Sequence, residues 1–215
     1  MKPDEPVPGF RPGQFLHLAL DQYDSSGRWP ESRVFSIANS PTRSSRLRIT
    51  FSAKGPFTER MLREAVPGAR VWLKLPYGSF TLEDTGRPKV LIAGGTGITP
   101  FVSFLEYVVD TKARSPIYLF YGVRSPELII YDALIEECRG KLGCFVPTIF
   151  VEQPGGAESA YRVGRINIEQ IVADLTQEKS ADYYLSGPFE MVESFKSALL
   201  KRSIEASRIL VDDWG

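Results

Sequence analysis

The stretch K-V-L-I-A-G-G-T-G-I-T-P-F-V at residues 89–102 narrows the choice of fold more than any other part of the chain. Val90, Leu91, Ile92 and Ala93 form an apolar run without alternation, the pattern of a strand buried on both faces of a parallel sheet. Gly94, Gly95 and Gly97 then permit a tight turn with backbone angles closed to most residues. Thr99 suits a helix N-cap, and Pro100 suits the first helical position, where its missing N–H costs nothing. Beyond them Phe101, Phe104, Leu105 and Val108 recur at helical spacing. Such a strand–turn–helix unit offers unpaired N–H groups and the positive end of a helix dipole to a phosphate or pyrophosphate. Pro100 takes the place of the last glycine in G-x-G-x-x-G, so the turn alone is equally compatible with a plain chain reversal.

The segments before and after this unit differ in kind. Residues 14–20, 33–38, 47–52 and 71–75 are short, β-branched or alternating runs separated by turn-forming stretches, which predicts a small antiparallel barrel. One helix is expected within it, over residues 57–65. His17, the only histidine, falls inside the first of these strands with no partner in view and is expected to be structural. Residues 85–88 form the expected linker. After them, strands at 90–93, 117–121, 145–151, 183–186 and 209–211 alternate with helices at 101–110, 127–138, 168–175 and 189–201, the order of a βαβ sheet. The C-terminal ends of such strands line up, so residues 94–99, 122–125, 152–153 and 186–188 should border one crevice.

Bulk composition mainly excludes. Acidic and basic residues balance at 26 each with no long basic run, which argues against a nucleic-acid surface. No apolar stretch is long enough to cross a bilayer and the N-terminus lacks a signal-peptide core, so no membrane insertion and a cytoplasmic location are expected. Cys138 and Cys144, the only cysteines, are too few for an iron–sulfur cluster and are expected to be ordinary thiols; no metal is expected.

Seven short motifs occur in a fixed order: P-G-Q-F at 12–15, R-V-F-S at 33–36, G-P-F-T at 55–58, P-Y-G-S-F at 76–80, G-G-T-G-I-T-P at 94–100, Y-G-V-R at 121–124 and S-G-P-F-E-M-V at 186–192. In this order and spacing they resemble the ferredoxin-NADP reductase family across nearly the whole chain. The resemblance implies two domains: an antiparallel β-barrel that binds flavin, residues 1–86, and an α/β Rossmann-like domain with a parallel sheet that binds NAD(P), residues 87–215. Relatives carry another strand before P-G-Q-F, where this chain has eleven residues. The barrel is therefore expected to lack its first strand, or to gain it from a partner or from chain beyond this sequence.

The resemblance also implies roles. In Arg33-Val34-Phe35-Ser36, Arg33 holds the flavin phosphate, Phe35 packs beside the ring and Ser36 reaches it near N5; a guanidinium suits phosphate through its planar fork of donors. Gly55, Phe57 and Thr58 form a second phosphate site at a helix N-terminus, which favours FAD, with FMN as the alternative. Gly95, Thr96 and Gly97 face the dinucleotide pyrophosphate, and Arg124 the adenosine. Where NADP-using relatives carry a Ser-Arg pair, this chain has Glu152-Gln153; a carboxylate repels a 2′-phosphate but accepts from a 2′-hydroxyl, which favours NADH over NADPH, although Arg124 or Arg165 would restore NADPH binding. Ser186, Gly187 and Pro188 stand where many relatives have Cys-Gly-Pro beside the nicotinamide. Asp212 and Trp214 match an acidic-x-aromatic ending, with Trp214 over the flavin face and Asp212 near Ser36.

These expectations make the chain an NAD(P)H-dependent flavin oxidoreductase whose catalytic residues are Ser36, Ser186, Asp212 and Trp214. Electrons would pass to a separate acceptor, a redox protein such as a ferredoxin, an oxygenase component or a free acceptor. The rival expectations are an electron-transfer subunit with little activity alone, and a flavin-free nucleotide-binding module.

Overall fold

The computed structural model describes residues 1–156, 160–175 and 180–213. The first half is built on strands β1 (Phe15–Ala19), β2 (Ser32–Ser36) and β3 (Trp72–Tyr77), with helix α1 (Pro56–Glu64) between the last two. They form an antiparallel sheet in the order β2-β1-β3, with Phe15 opposite Ser36 and Leu18 opposite Arg33. Leu16, Leu18 and Phe35 point to one face of this sheet and pack with Leu47, Phe57 and Met61 into a core beneath α1. This three-stranded sheet is what the expected barrel amounts to among the described residues. Residues 47–52, expected to be a strand, are extended but form no ladder: Ala38 N–H bonds to the Arg48 carbonyl (2.8 Å), and Leu47 exchanges bonds with Met1.

The second half is a six-stranded parallel sheet, β4 (Lys89–Gly94), β5 (Ile117–Val123), β6 (Phe145–Val151), β7 (Arg162–Val163), β8 (Asp182–Ser186) and β9 (Ile209–Val211), in the order β7-β6-β5-β4-β8-β9. All five expected strands are present; β7, two residues long, was too short to stand out by pattern. Helices α2 (Thr99–Thr111), α3 (Asp132–Lys141), α4 (Ile168–Ala173) and α5 (Phe189–Lys201) connect them. Every residue of β4 is buried, as its unbroken apolar run requires. Strand order reverses direction beside β4, where β5 lies on one side and β8 on the other, and ligands of open α/β sheets bind in the crevice at such a switch point.

Two helix starts differ from expectation. A 3₁₀ turn over Gly95–Ile98 already winds the chain into α2, so Thr99 is its first residue rather than its cap, and the Thr99 hydroxyl donates back to the Thr96 carbonyl (2.7 Å). Helix α3 begins at Asp132, not near residue 127, because Tyr131 is left-handed (φ 64°). That uncommon angle is held from outside: the Tyr131 hydroxyl bonds the Thr50 hydroxyl, and the Arg48 guanidinium lies over the ring at 5.5 Å. No helix among the described residues is long and apolar enough to cross a membrane. Burial pushes the Cys138 thiol up to about 12, which keeps it protonated and fits an ordinary core thiol.

Candidate active site

Strand β2 ends where the 3₁₀ turn after β4 begins, and the two line one cavity of about 170 Å³. It is lined by Val34, Phe35 and Ser36 from the end of β2, by Thr96 and Thr99 from the turn and the start of α2, and by Thr50, Phe51, Ser52, Lys54 and Thr58. Three of the seven motifs, R-V-F-S, G-P-F-T and G-G-T-G-I-T-P, far apart in sequence, thus meet around this space.

The lining combines two phenylalanines with six hydroxyl side chains. Phe35, edge-on to Phe51 at 6.1 Å, belongs to the core as well as to the cavity wall. Ser36 is only 3 % exposed, and its hydroxyl makes no hydrogen bond to any described residue. Ser36 lines the cavity, so this hydroxyl is available to a ligand atom. The Thr58 hydroxyl is engaged: it accepts from the N–H groups of Lys54 (3.0 Å) and Gly55 (3.2 Å) and donates to the Gly55 carbonyl. It therefore shapes the start of α1 instead of reaching an anion itself. Pro56 carries no N–H, which leaves the Phe57 and Thr58 amides as the donors at that helix end.

Arg33 is brought to the same place, with its guanidinium over the Phe57 ring at 5.0 Å. It is held there by Glu31 (2.7 Å) and by the Ser32 carbonyl (2.9 Å). An exposed ion pair of this kind is weak, and a phosphate can replace Glu31 at little cost. Lys54 was not singled out by motif, yet it lines the cavity and has no ion-pair partner among the described residues. Its position directly before Gly55 at a helix start was the available signal. A flat heterocycle with a phosphate tail fits this set: an aromatic wall, unspent hydroxyls, two cations and a helix N-terminus.

On the sheet side the loops expected to border one crevice lie on neighbouring strand ends. Gly97 lies against Ser186 and Gly187, so closely that a Cβ at Gly97 would stand 2.3 Å from the Ser186 carbonyl oxygen. The Ser186 hydroxyl donates to Asp212 (2.9 Å), and Asp212 N–H bonds the Leu185 carbonyl, which brings two of the four expected catalytic residues together at the β8 end. Trp214 lies outside the described residues. Gly187 and Pro188 lead directly into α5. Further along the edge, Glu152 N–H bonds the Val123 carbonyl and Gln153 N–H the Arg124 carbonyl, so Arg124 and Glu152 sit on adjacent strand ends. The Glu152 carboxylate is paired with Arg165 at 3.1 Å.

Residues 91–197 match the family described as oxidoreductase NAD-binding domain. The reductase component of propane 2-monooxygenase from Mycolicibacterium smegmatis is 28 % identical over 100 % of this chain and 62 % of its own. The NAD(P)H-flavin reductase of Aliivibrio fischeri is 29 % identical over 89 % of this chain and 80 % of its own. Among solved structures, the Amycolatopsis cytochrome P450 reductase GcoB superposes with a TM-score of 0.82 at 26 % identity, covering 98 % of this chain and 62 % of that one. The chain thus spans under two-thirds of the length of the monooxygenase reductase and of GcoB. Residues 91–197 thus carry an oxidoreductase NAD-binding domain, and the likeness to reductases of the ferredoxin-NADP reductase-like family extends over both halves of the chain.

Proposed function

We propose that this chain is an NAD(P)H-dependent flavin oxidoreductase, with flavin held by residues 1–86 and nucleotide by residues 87–215. The observation that carries this reading is the cavity that Ser36 lines together with Thr96 and Thr99. Bound there, flavin would accept hydride from the nicotinamide and release electrons onward; the protein's part is binding, orientation and exclusion of water. Arg33, Lys54 and the α1 N-terminus hold phosphate, and two such groups within reach support FAD over FMN. Phe35 and Phe51 give the ring an apolar wall, and Ser36 offers a hydrogen bond at its edge. On the other side Gly95, Thr96 and Gly97 receive the pyrophosphate at the start of α2. Ser186, oriented by Asp212, lines the nicotinamide pocket with Gly187 and Pro188. The acceptor is a separate redox protein, in line with a relative that is a monooxygenase reductase component, and the reaction is cytoplasmic.

The test is direct. Protein purified with its flavin should be yellow and bleach on anaerobic addition of NADH. Arg33→Ala should lower flavin affinity roughly tenfold, the scale of one lost charge-assisted phosphate contact. A colourless protein that still binds NADH would leave only the nucleotide-binding module.

Nucleotide choice gives a second expected result. Glu152 opposes a 2′-phosphate, and Arg165, neutralised by Glu152 while the pair persists, is released when the carboxylate goes. Glu152→Ser should therefore lower the KM for NADPH roughly tenfold and raise that for NADH, since removing a repulsive element and freeing a cation act together. Unchanged KM values for both nucleotides would remove Glu152 from the ribose site.

A further inference from the structure

Helix α2 carries a polar stripe, Ser103, Glu106 and Asp110, on an otherwise apolar surface, and all three contact the first half. The Ser103 hydroxyl donates to the Asn39 carbonyl (2.8 Å). Glu106 is 5 % exposed; its carboxylate accepts from the Ser40 N–H (3.0 Å) and from Arg48, with Arg43 at 3.7 Å. Asp110 takes a two-pronged contact from Arg43 (2.6 and 3.1 Å) and a bond from the Thr42 hydroxyl. The partners of the buried Glu106 carboxylate, Ser40, Arg43 and Arg48, all come from one segment of the other half.

The placement of these contacts relative to the cavity gives them meaning. Asn39 follows Ser36 by three residues along extended chain, and Ser103 follows Thr99 by four, one helical turn. The segments that line the cavity from the two halves are thus tied to each other one short step further along each chain. Burying a carboxylate has a desolvation cost that its ion pairs only partly offset, so apolar contacts would have joined the halves as firmly. Apolar faces, however, can slide and rotate, whereas hydrogen bonds with defined donors fix both register and angle.

We propose that Glu106, with Ser103 and Asp110, is a positioning residue that sets the separation and angle between the Val34–Ser36 wall and the Gly95–Thr99 turn. This rests on the flavin and nucleotide reading above. The positioned distance is that between nicotinamide and flavin, to which hydride transfer is steeply sensitive: an error of about 1 Å can cost on the order of a hundredfold.

Glu106→Gln keeps an acceptor for the Ser40 N–H but removes the charge that holds Arg48 and Arg43. In this variant the Ser40 amide should exchange with solvent faster, and anaerobic reduction by NADH should slow roughly tenfold or more. Flavin content and affinity for ADP-ribose, each reporting one half alone, should stay within about twofold of wild type because neither binding surface is touched. Ser103→Ala, which deletes one hydrogen bond and leaves the charges, should act in the same direction more weakly, and serves if Glu106→Gln cannot be purified. Faster Ser40 exchange with an unchanged reduction rate would overturn the proposal, as would flavin content or ADP-ribose affinity falling in step with the rate. Wild-type protein that takes up flavin and ADP-ribose but is not reduced by NADH would instead sink the oxidoreductase reading, and the positioning role with it, while leaving the Ser40 measurement to report the contact itself.

Discussion

Gly97→Ala should destabilise the protein by about 3 kcal/mol and abolish most nucleotide binding, the upper range for overpacking against a rigid neighbour. The added Cβ would stand 2.3 Å from the Ser186 carbonyl oxygen, 2.5 Å from its carbon and 2.7 Å from the Gly187 Cα. All three are backbone atoms, and Gly187 in turn lies against Gly94, so none can retreat without parting β4 from β8. The neighbouring glycines provide controls of different physical kind. At Gly95 a Cβ meets nothing within 4 Å, but the residue is left-handed (φ 54°), so Gly95→Ala should cost only roughly 1 kcal/mol, and Gly95→Asn less. At Gly94 the contact is with the Met191 thioether end (2.9 Å), which can swing aside, and with the Pro188 ring (2.8 Å), which cannot, so Gly94→Ala should fall between the other two. Denaturant unfolding of the three alanine variants should therefore rank Gly97→Ala lowest, Gly94→Ala between, and Gly95→Ala highest. Equal stability of Gly97→Ala and Gly95→Ala would show that the β4 and β8 turns are not in close contact.

How far these features were legible follows from what each pattern measures. The β4 run and its glycine turn were clear because a strand covered on both faces and a turn requiring glycine leave marks independent of the rest of the chain. Residues 47–52 mark the limit of a period-two pattern. Leu47, Ile49 and Phe51 do face the core, while Arg48, Thr50 and Ser52 turn outward to Glu106, Tyr131 and the cavity. Alternation correctly reported two faces but carried no information on backbone partners, and the ladder it suggested is absent among the described residues. The start of α3 failed for a related reason: residues 127–130 suit a helix locally, and the left-handed Tyr131 that delays it is fixed by Thr50 and Arg48, about eighty residues earlier. Arg33, Ser36, Ser186 and Asp212 were named from motifs; Lys54 had only its place before Gly55 to mark it, and Glu106 had nothing, since a glutamate on a helix is ordinary until its neighbours in space are known.

The other large effect is expected at the opposite end of the same two strands. Lys89 and Asp182 begin β4 and β8, pair in register, and are each 3 % exposed, with Nζ to Oδ2 at 2.8 Å. Thr85 bonds both, and Arg87 reaches Asp182 at 3.2 Å, so the cluster also fastens the segment that joins the two halves. Asp182→Ala should cost roughly 3–5 kcal/mol because it strands a buried ammonium. Lys89→Met should cost less, since Asp182 keeps Arg87 and Thr85, and Lys89→Met combined with Asp182→Leu should recover most of the loss. Acid supplies an independent check. Burial pushes the Asp182 carboxyl up, but bonds from Lys89, Thr85 and Arg87 and the lysine charge together outweigh it and hold the group below its ordinary value of 3.8. A carboxylate with a lowered folded-state pKa stabilises the fold at neutral pH, and that contribution is lost as pH falls below 3.8 through the lowered value. The stability gap between wild type and Asp182→Asn should therefore be constant from pH 7 to about 5 and narrow below 4. The pair also bears on the site, because a one-residue slip of β8 against β4 would turn Ser186 to the other face of the sheet and away from the glycine turn. A buried ion pair at the foot of both strands penalises that slip, so ADP-ribose affinity should fall in Asp182→Ala even at temperatures where the protein remains folded, and an affinity equal to wild type would limit the cluster to a role in stability.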